Sequence, residues 1–289
     1  MKPNAHPRRE SRLAFTLVEM LVAMLVLSLM VAGLATATSY VTGLWLSSTG
    51  AVDNFTKARV VLNLLDRDVQ TMVMRRDLAA FVTNSSGNAT CSFYANVPGN
   101  PGTGFSGGTY DTRSVSLVQY LLTNSTTAPT LLRYNYGVNF ITNTATAAIP
   151  TVGTTTTLVA PANSTLQSDT IFTGIMQFQW QFLDGTGTLQ PTYSYNYPQP
   201  SAPSNSRILV ISLAVVSNPA YIVANKTGNM AALAGCFSTN TPTNQTYSQV
   251  WNAFLNAPSA TFLSMPEPVR KGVRVFERHI PLPITTPTS

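Results

Sequence analysis

Charge is scarce in this chain. Lysine, arginine, aspartate and glutamate make up 10% of its 289 residues, against roughly a quarter in ordinary soluble domains. Histidine is nearly absent: His6 lies in the N-terminal segment and His279 close to the C-terminus. A Ser-His-Asp site in the body of the chain would have to be built on His279, and no Gly-x-Ser-x-Gly elbow accompanies it. The acids beyond the first 83 residues are Asp111, Asp169, Asp184, Glu267 and Glu277, scattered without the spacing of a calcium loop. Gly102, Gly104, Gly107 and Gly108 lead into no Lys-Ser/Thr pair, which excludes a phosphate-binding loop of that type. No catalytic residue, metal ligand set or cofactor is expected, so the sequence reads as that of a non-enzymatic protein.

Cysteine is also rare, with Cys91 and Cys236 alone. An even pair in an exported domain can close a disulfide, and the same two residues can equally remain separate buried thiols. Thr, Ser, Asn, Pro and Gly take the place of the missing charges, a composition suited to a secreted or surface domain rich in turns and strands. The net charge is +6, but much of the excess sits in Lys2, Arg8, Arg9 and Arg12. No nucleic-acid partner is expected from it.

What the chain does have is a long apolar run. From Phe15 to Val52 the only charge is Glu19, while a membrane span needs about 20 apolar residues. A membrane helix follows, with its basic flank and N-terminus in the cytoplasm and everything after residue 50 outside. A carboxylate at the bilayer centre costs about 2.5–3.5 kcal/mol on insertion scales, so Glu19 needs a partner or a role.

Beyond Gly50 the pattern turns amphipathic. Val52, Phe55, Val60, Val61, Leu64, Leu65, Val69, Met72 and Val73 recur near helical spacing among charged residues, which predicts a helix from Asp53 to about Phe81. Asp53 is placed to N-cap it if Gly50 breaks the helix. The run from Thr83 to Gly108 reads as loop. Strands are expected at 114–122, 131–136, 175–183, 207–216 and 273–279, with a hairpin across 123–130 and a turn at Asp184-Gly185. Met176 to Phe182 alternates apolar and polar residues, as a half-buried antiparallel strand does. The stretch from Ser217 to Pro268 reads as a long excursion, and Pro281, Pro283 and Pro287 as an extended tail.

At Ala14-Phe15-Thr16-Leu17-Val18-Glu19 the sequence resembles the N-terminal signal of type IV pilins and type II secretion pseudopilins. In that family a prepilin peptidase removes a basic leader on the cytoplasmic side and methylates the new N-terminus. Ala14 stands where the family usually has Gly. The resemblance implies cleavage between Ala14 and Phe15, N-methylation of Phe15, and pairing of Glu19 with the N-terminal amine of a neighbouring subunit during assembly.

The remainder, through Ala58 to Val69, Leu131 to Tyr134, Gly174 to Gly185, Arg207 to Leu213 and Gly272 to Arg278, is similar to J-type minor pseudopilins. It implies an α+β, pilin-like fold: a long N-terminal helix packed on an antiparallel β-sheet head. The implied organisation is a leader (1–14), a transmembrane helix (15–46), an amphipathic stem helix (47–82), an extracytoplasmic head (83–280) and a Pro-rich tail (281–289). The implied partners are the prepilin peptidase, other pilin-like subunits bound through the N-terminal helix, and the bacterial inner membrane, with the head in the periplasm. Two alternatives keep parts of this reading: a single-pass anchored or secreted surface protein, for which Ala35-Thr36-Ala37 offers a conventional cleavage site, and a type IV minor pilin serving DNA uptake or adhesion.

Overall fold

A computed structural model describes residues 16–73, 82–83, 90–98, 115–123, 128–137, 168–193, 205–237, 242 and 244–283. The chain divides into two compact units, Met1–Ser48 and Thr49–Ser289. Helix α1 (Leu17–Gln70, 54 residues) begins in the first and ends in the second. It runs on through Gly50 and Asp53, so Asp53 is an interior residue and not an N-cap.

Within the first unit α1 is long and apolar enough to cross a membrane, and its described side chains are exposed. The hydroxyls of Ser28, Thr36, Thr38 and Thr42 each bond a carbonyl three or four residues back. Such back-bonding leaves few polar groups needing water on an otherwise apolar helix.

In the second unit α1 buries Ala58, Val61, Leu62, Leu65 and Val69, spaced three and four apart on one face. It stops sooner than the periodicity predicts. Val73 N–H donates to Tyr94 O at 2.8 Å and Met72 bridges Ala95, so the chain is already extended where a stem helix to residue 82 was expected. Residues 74–81 lie outside the described residues.

Two antiparallel sheets follow. The first has the order β1 (Val82–Thr83), β2 (Thr90–Ala95), β3 (Ser116–Thr123), β4 (Thr130–Gly137) and β5 (Ser168–Thr173). The second comprises β6 (Ile175–Asp184), β7 (Leu189–Gln190), β8 (Ser206–Val216) and β9 (Val273–Pro281) in the order β7-β6-β8-β9. All five strands expected from the sequence are present, and Thr123 pairs with Thr130 across the expected hairpin. The turn after β6 is held by Asp184 Oδ1, which accepts from Thr186 N and Thr188 N at 2.9 Å. Strand β2 lies inside the stretch read as loop.

The second sheet is covered on both faces. Phe178, Phe182, Leu209, Ile211, Leu213 and Ile280 join α1 and the first sheet's Phe93, Val118, Tyr120, Leu122 and Leu131 in one core. On the opposite face Met176, Ala214, Val216 and Val273 meet a layer of short helices. These are α2 (Asn218–Lys226), α3 (Met230–Cys236), α4 (Tyr247–Asn256), α5 (Ala260–Leu263) and α6 (Glu267–Lys271). Phe237 centres their packing, with ring centroids 6.3 Å from Trp251, 5.5 Å from Phe254 and 6.4 Å from Phe262. The excursion read from the sequence is therefore an ordered helical layer with its own apolar core. It also covers the polar face of β6: Gln181 donates to Gln245 O at 3.1 Å and accepts from Tyr247 N at 3.2 Å. The polar face of β6 is therefore covered at Gln181, which is buried, and partly covered at Gln177 and Gln179.

Candidate assembly site

Ala14 and Phe15, the expected cleavage and methylation positions, lie outside the described residues. The described chain begins at Thr16, which caps α1: its Oγ1 accepts from Glu19 N at 3.2 Å and its carbonyl from Met20 N at 3.2 Å. Thr16-Leu17-Val18-Glu19 has the residue order of a capping box, and a carboxylate in the first turn is favoured by the helix dipole. Glu19 is exposed. Around it the helix presents Leu17 at 78% exposure, Leu21 at 62% and Met30 at 69%. A surface so apolar over so many turns is stable only against lipid or other apolar helices. The site is thus an open apolar rod bearing one carboxylate near its start.

The polar interior of the second unit is built differently. Asp68, fully buried in the last turn of α1, accepts from Tyr120 Oη at 2.6 Å and from Arg133 Nε at 2.7 Å. Burial first, and then the neighbouring Asp68 charge, pushes the Tyr120 hydroxyl up, so it remains a donor. Desolvation opposes the Arg133 charge, but the hydrogen bond and charge of Asp68 outweigh it and raise the guanidinium further. Near the end of β9, Arg278 bonds Asn63 Oδ1 at 2.7 Å and pairs with Asp66.

His279 lies 2.8 Å from Glu277 Oε1, and Ser248 Oγ contacts the other oxygen of that carboxylate. The acid therefore stands between hydroxyl and imidazole. Nucleophilic activation needs the imidazole in the middle, so this trio lacks the arrangement of a catalytic triad. For Glu277, burial is outweighed by hydrogen bonds from Ser248, Thr246 and His279, which together hold its carboxyl below the usual range. No group of three or more metal-ligating side chains occurs among the described residues.

The cysteines are both free. Cys91 belongs to the core between α1 and the sheets, whereas Cys236 packs against the helical layer on the far face of the second sheet. The possible disulfide is therefore not formed, because a sheet separates the two thiols. Burial pushes the Cys91 thiol well up, which makes it inert.

Residues 11–35 match the family described as the prokaryotic N-terminal methylation motif. The chain carries a prepilin-type N-terminus. The matched segment includes Ala14, Phe15 and Glu19 and the opening turns of α1. No curated protein matches the chain. Among solved structures, a type IV-like pilin from Thermus thermophilus is similar at 14% identity, over 79% of this chain and 96% of that one, with a TM-score of 0.38.

Proposed function

We propose that the protein is a non-enzymatic minor pseudopilin, or a related pilin-like subunit, that assembles into a type II secretion pseudopilus or similar filament, in its tip complex. The observation that carries this reading is the coincidence of the methylation motif with the exposed apolar part of α1, whose single carboxylate before Asp53 is Glu19. Prepilin peptidase cuts between Ala14 and Phe15 and methylates the new amine. The helix over 15–46 holds the subunit in the inner membrane, N-terminus inward and head in the periplasm, as the basic leader favours.

Cleavage leaves a cationic amine on Phe15 and a carboxylate four residues on. Within one chain both lie on the same helix face, and the bond from Glu19 N to Thr16 Oγ1 engages the backbone alone, so it does not occupy the carboxylate. Glu19 is left to meet the amine of a neighbouring subunit. That pairing offsets the cost of burying each charge and fixes the axial register between helices, a role attested for buried polar groups elsewhere.

Glu19→Ala tests the proposal. The variant should fractionate with membranes as the native protein does and lose co-purification with the other pilin-like subunits of its host. Co-purification at the native level would overturn the assembly role.

A further inference from the structure

Lys57 is the one lysine among the described residues that is buried, at 4% exposure, and a lysine is almost never buried without specific partners. Its Nζ lies 2.7 Å from Asn218 Oδ1 and 3.1 Å from Asp53 Oδ2, with Val216 O at 3.4 Å. Asp53 Oδ2 also accepts from Asn218 N at 2.8 Å. Gly174, at φ +85°, lies beside the ammonium: a Cβ there would come within 3.6 Å of Nζ and 3.0 Å of Val216 O. An amine, a carboxamide and a carboxylate thus converge at the start of α2, on residues 161 positions apart in the chain.

We propose that this cluster is a modification site, where Lys57 and Asn218 join in an isopeptide bond that ties α1 to α2. Asp53 takes a proton from the Lys57 ammonium, and the freed amine attacks Cγ of Asn218. Asp53 then returns that proton to the departing carboxamide nitrogen, which also receives the second proton that the attacking amine sheds on becoming an amide. The Nζ–Cγ bond forms, the Cγ–Nδ2 bond breaks, and one ammonium ion leaves with the charge that Lys57 carried. The exchange of one amide for another is redox-neutral and needs no cofactor. The geometry supplies proximity, which is worth several orders of magnitude for an intramolecular attack. Asn218 stands on the exposed side of the cluster, so ammonia has a path to solvent and the reverse reaction is starved.

The bond would join the helix to the layer at a place where side-chain contacts already link them: Lys57 to Asn218, Asp53 to the same residue, and Asn54 Nδ2 to Gly272 O at 2.8 Å. It stands or falls independently of leader cleavage, because all its atoms lie in the second unit.

The test is peptide mass spectrometry on full-length protein extracted from membranes. A branched tryptic peptide joining Lys57 to Asn218, lighter than its two parts by one ammonia beyond the intact side chains, is expected. Resistance to trypsin after Lys57 in the denatured protein should accompany it. Asn218→Ala should restore that cleavage, and Asp53→Asn should lose the branched peptide while keeping the shape of the side chain. Cleavage after Lys57 together with an unmodified Asn218 in the native protein would overturn the proposal, and this outcome needs no variant to fold. A branched peptide at native yield in Asp53→Asn would overturn the role of the carboxylate.

Discussion

Arg133 Nε meets Asp68 Oδ2 at 2.7 Å in the interior of the second unit, joining the last turn of the long helix to the middle of β4. The carboxylate sits at the helix C-terminus, where the dipole disfavours it. Its Oδ1 has no hydrogen bond, and Arg67 approaches it only to 3.6 Å. Asp68 therefore relies on Arg133 and Tyr120.

Removing one partner leaves a buried charge unpaired. Arg133→Met should cost about 3–5 kcal/mol, and Tyr120→Phe about 1.5–3 kcal/mol, the loss of one hydrogen bond to a charged group. Denaturant unfolding of the detergent-solubilised protein measures both. An Arg133→Met variant as stable as the native chain would mean that the pair does not hold helix to sheet.

Gly272 separates α6 from β9 at a place where backbone and side chains crowd together. An added Cβ would lie 2.2 Å from Ala220 Cβ and 2.8 Å from Pro268 O, so Gly272→Ala should destabilise by at least the 1–3 kcal/mol, roughly, of ordinary overpacking. Gly33→Ala meets nothing within 4 Å and should leave unfolding unchanged. Equal midpoints for the two variants would contradict the packing of α2 against α6.

Glu277 makes stability fall in acid. Its folded value is depressed, so its contribution is complete above the unfolded value of about 4.3 and is lost as pH falls through the lower folded value. Glu277→Gln should be less stable near neutrality and lose less on acidification. Melting temperatures of both proteins from neutral pH down to about 3 test this, and parallel profiles would contradict it.

The sequence carried the long helix and five of the strands because their signals are local: an apolar run from Phe15 broken only by Glu19, an amphipathic stripe, alternation in β6 and a continuous apolar run in β8. It hid β2, whose Thr90-Cys91-Ser92-Phe93-Tyr94-Ala95 is short and flanked by turn residues. It hid the helical layer for the same reason. Pro219, Pro266 and Pro268 read as loop, although proline in the first turn is a helix-start signal, as is the Thr246/Gln249 capping box. Gln181 of β6 looks solvent-facing in the sequence because nothing local tells that Gln245 and Tyr247 will cover it. The stem ends early because pairing of residues 72–73 with β2 prevails over helical periodicity, a tertiary effect. At the assembly site Thr16 and Glu19 were legible as a motif, while the Lys57, Asp53 and Asn218 cluster depends on a contact between distant parts of the chain.

The mass of the N-terminal peptide of the membrane-extracted protein tests the central claim most directly. A chain that begins at N-methylated Phe15 is the expected result. A chain that begins at Met1, or at Thr38 after conventional signal cleavage, would contradict it.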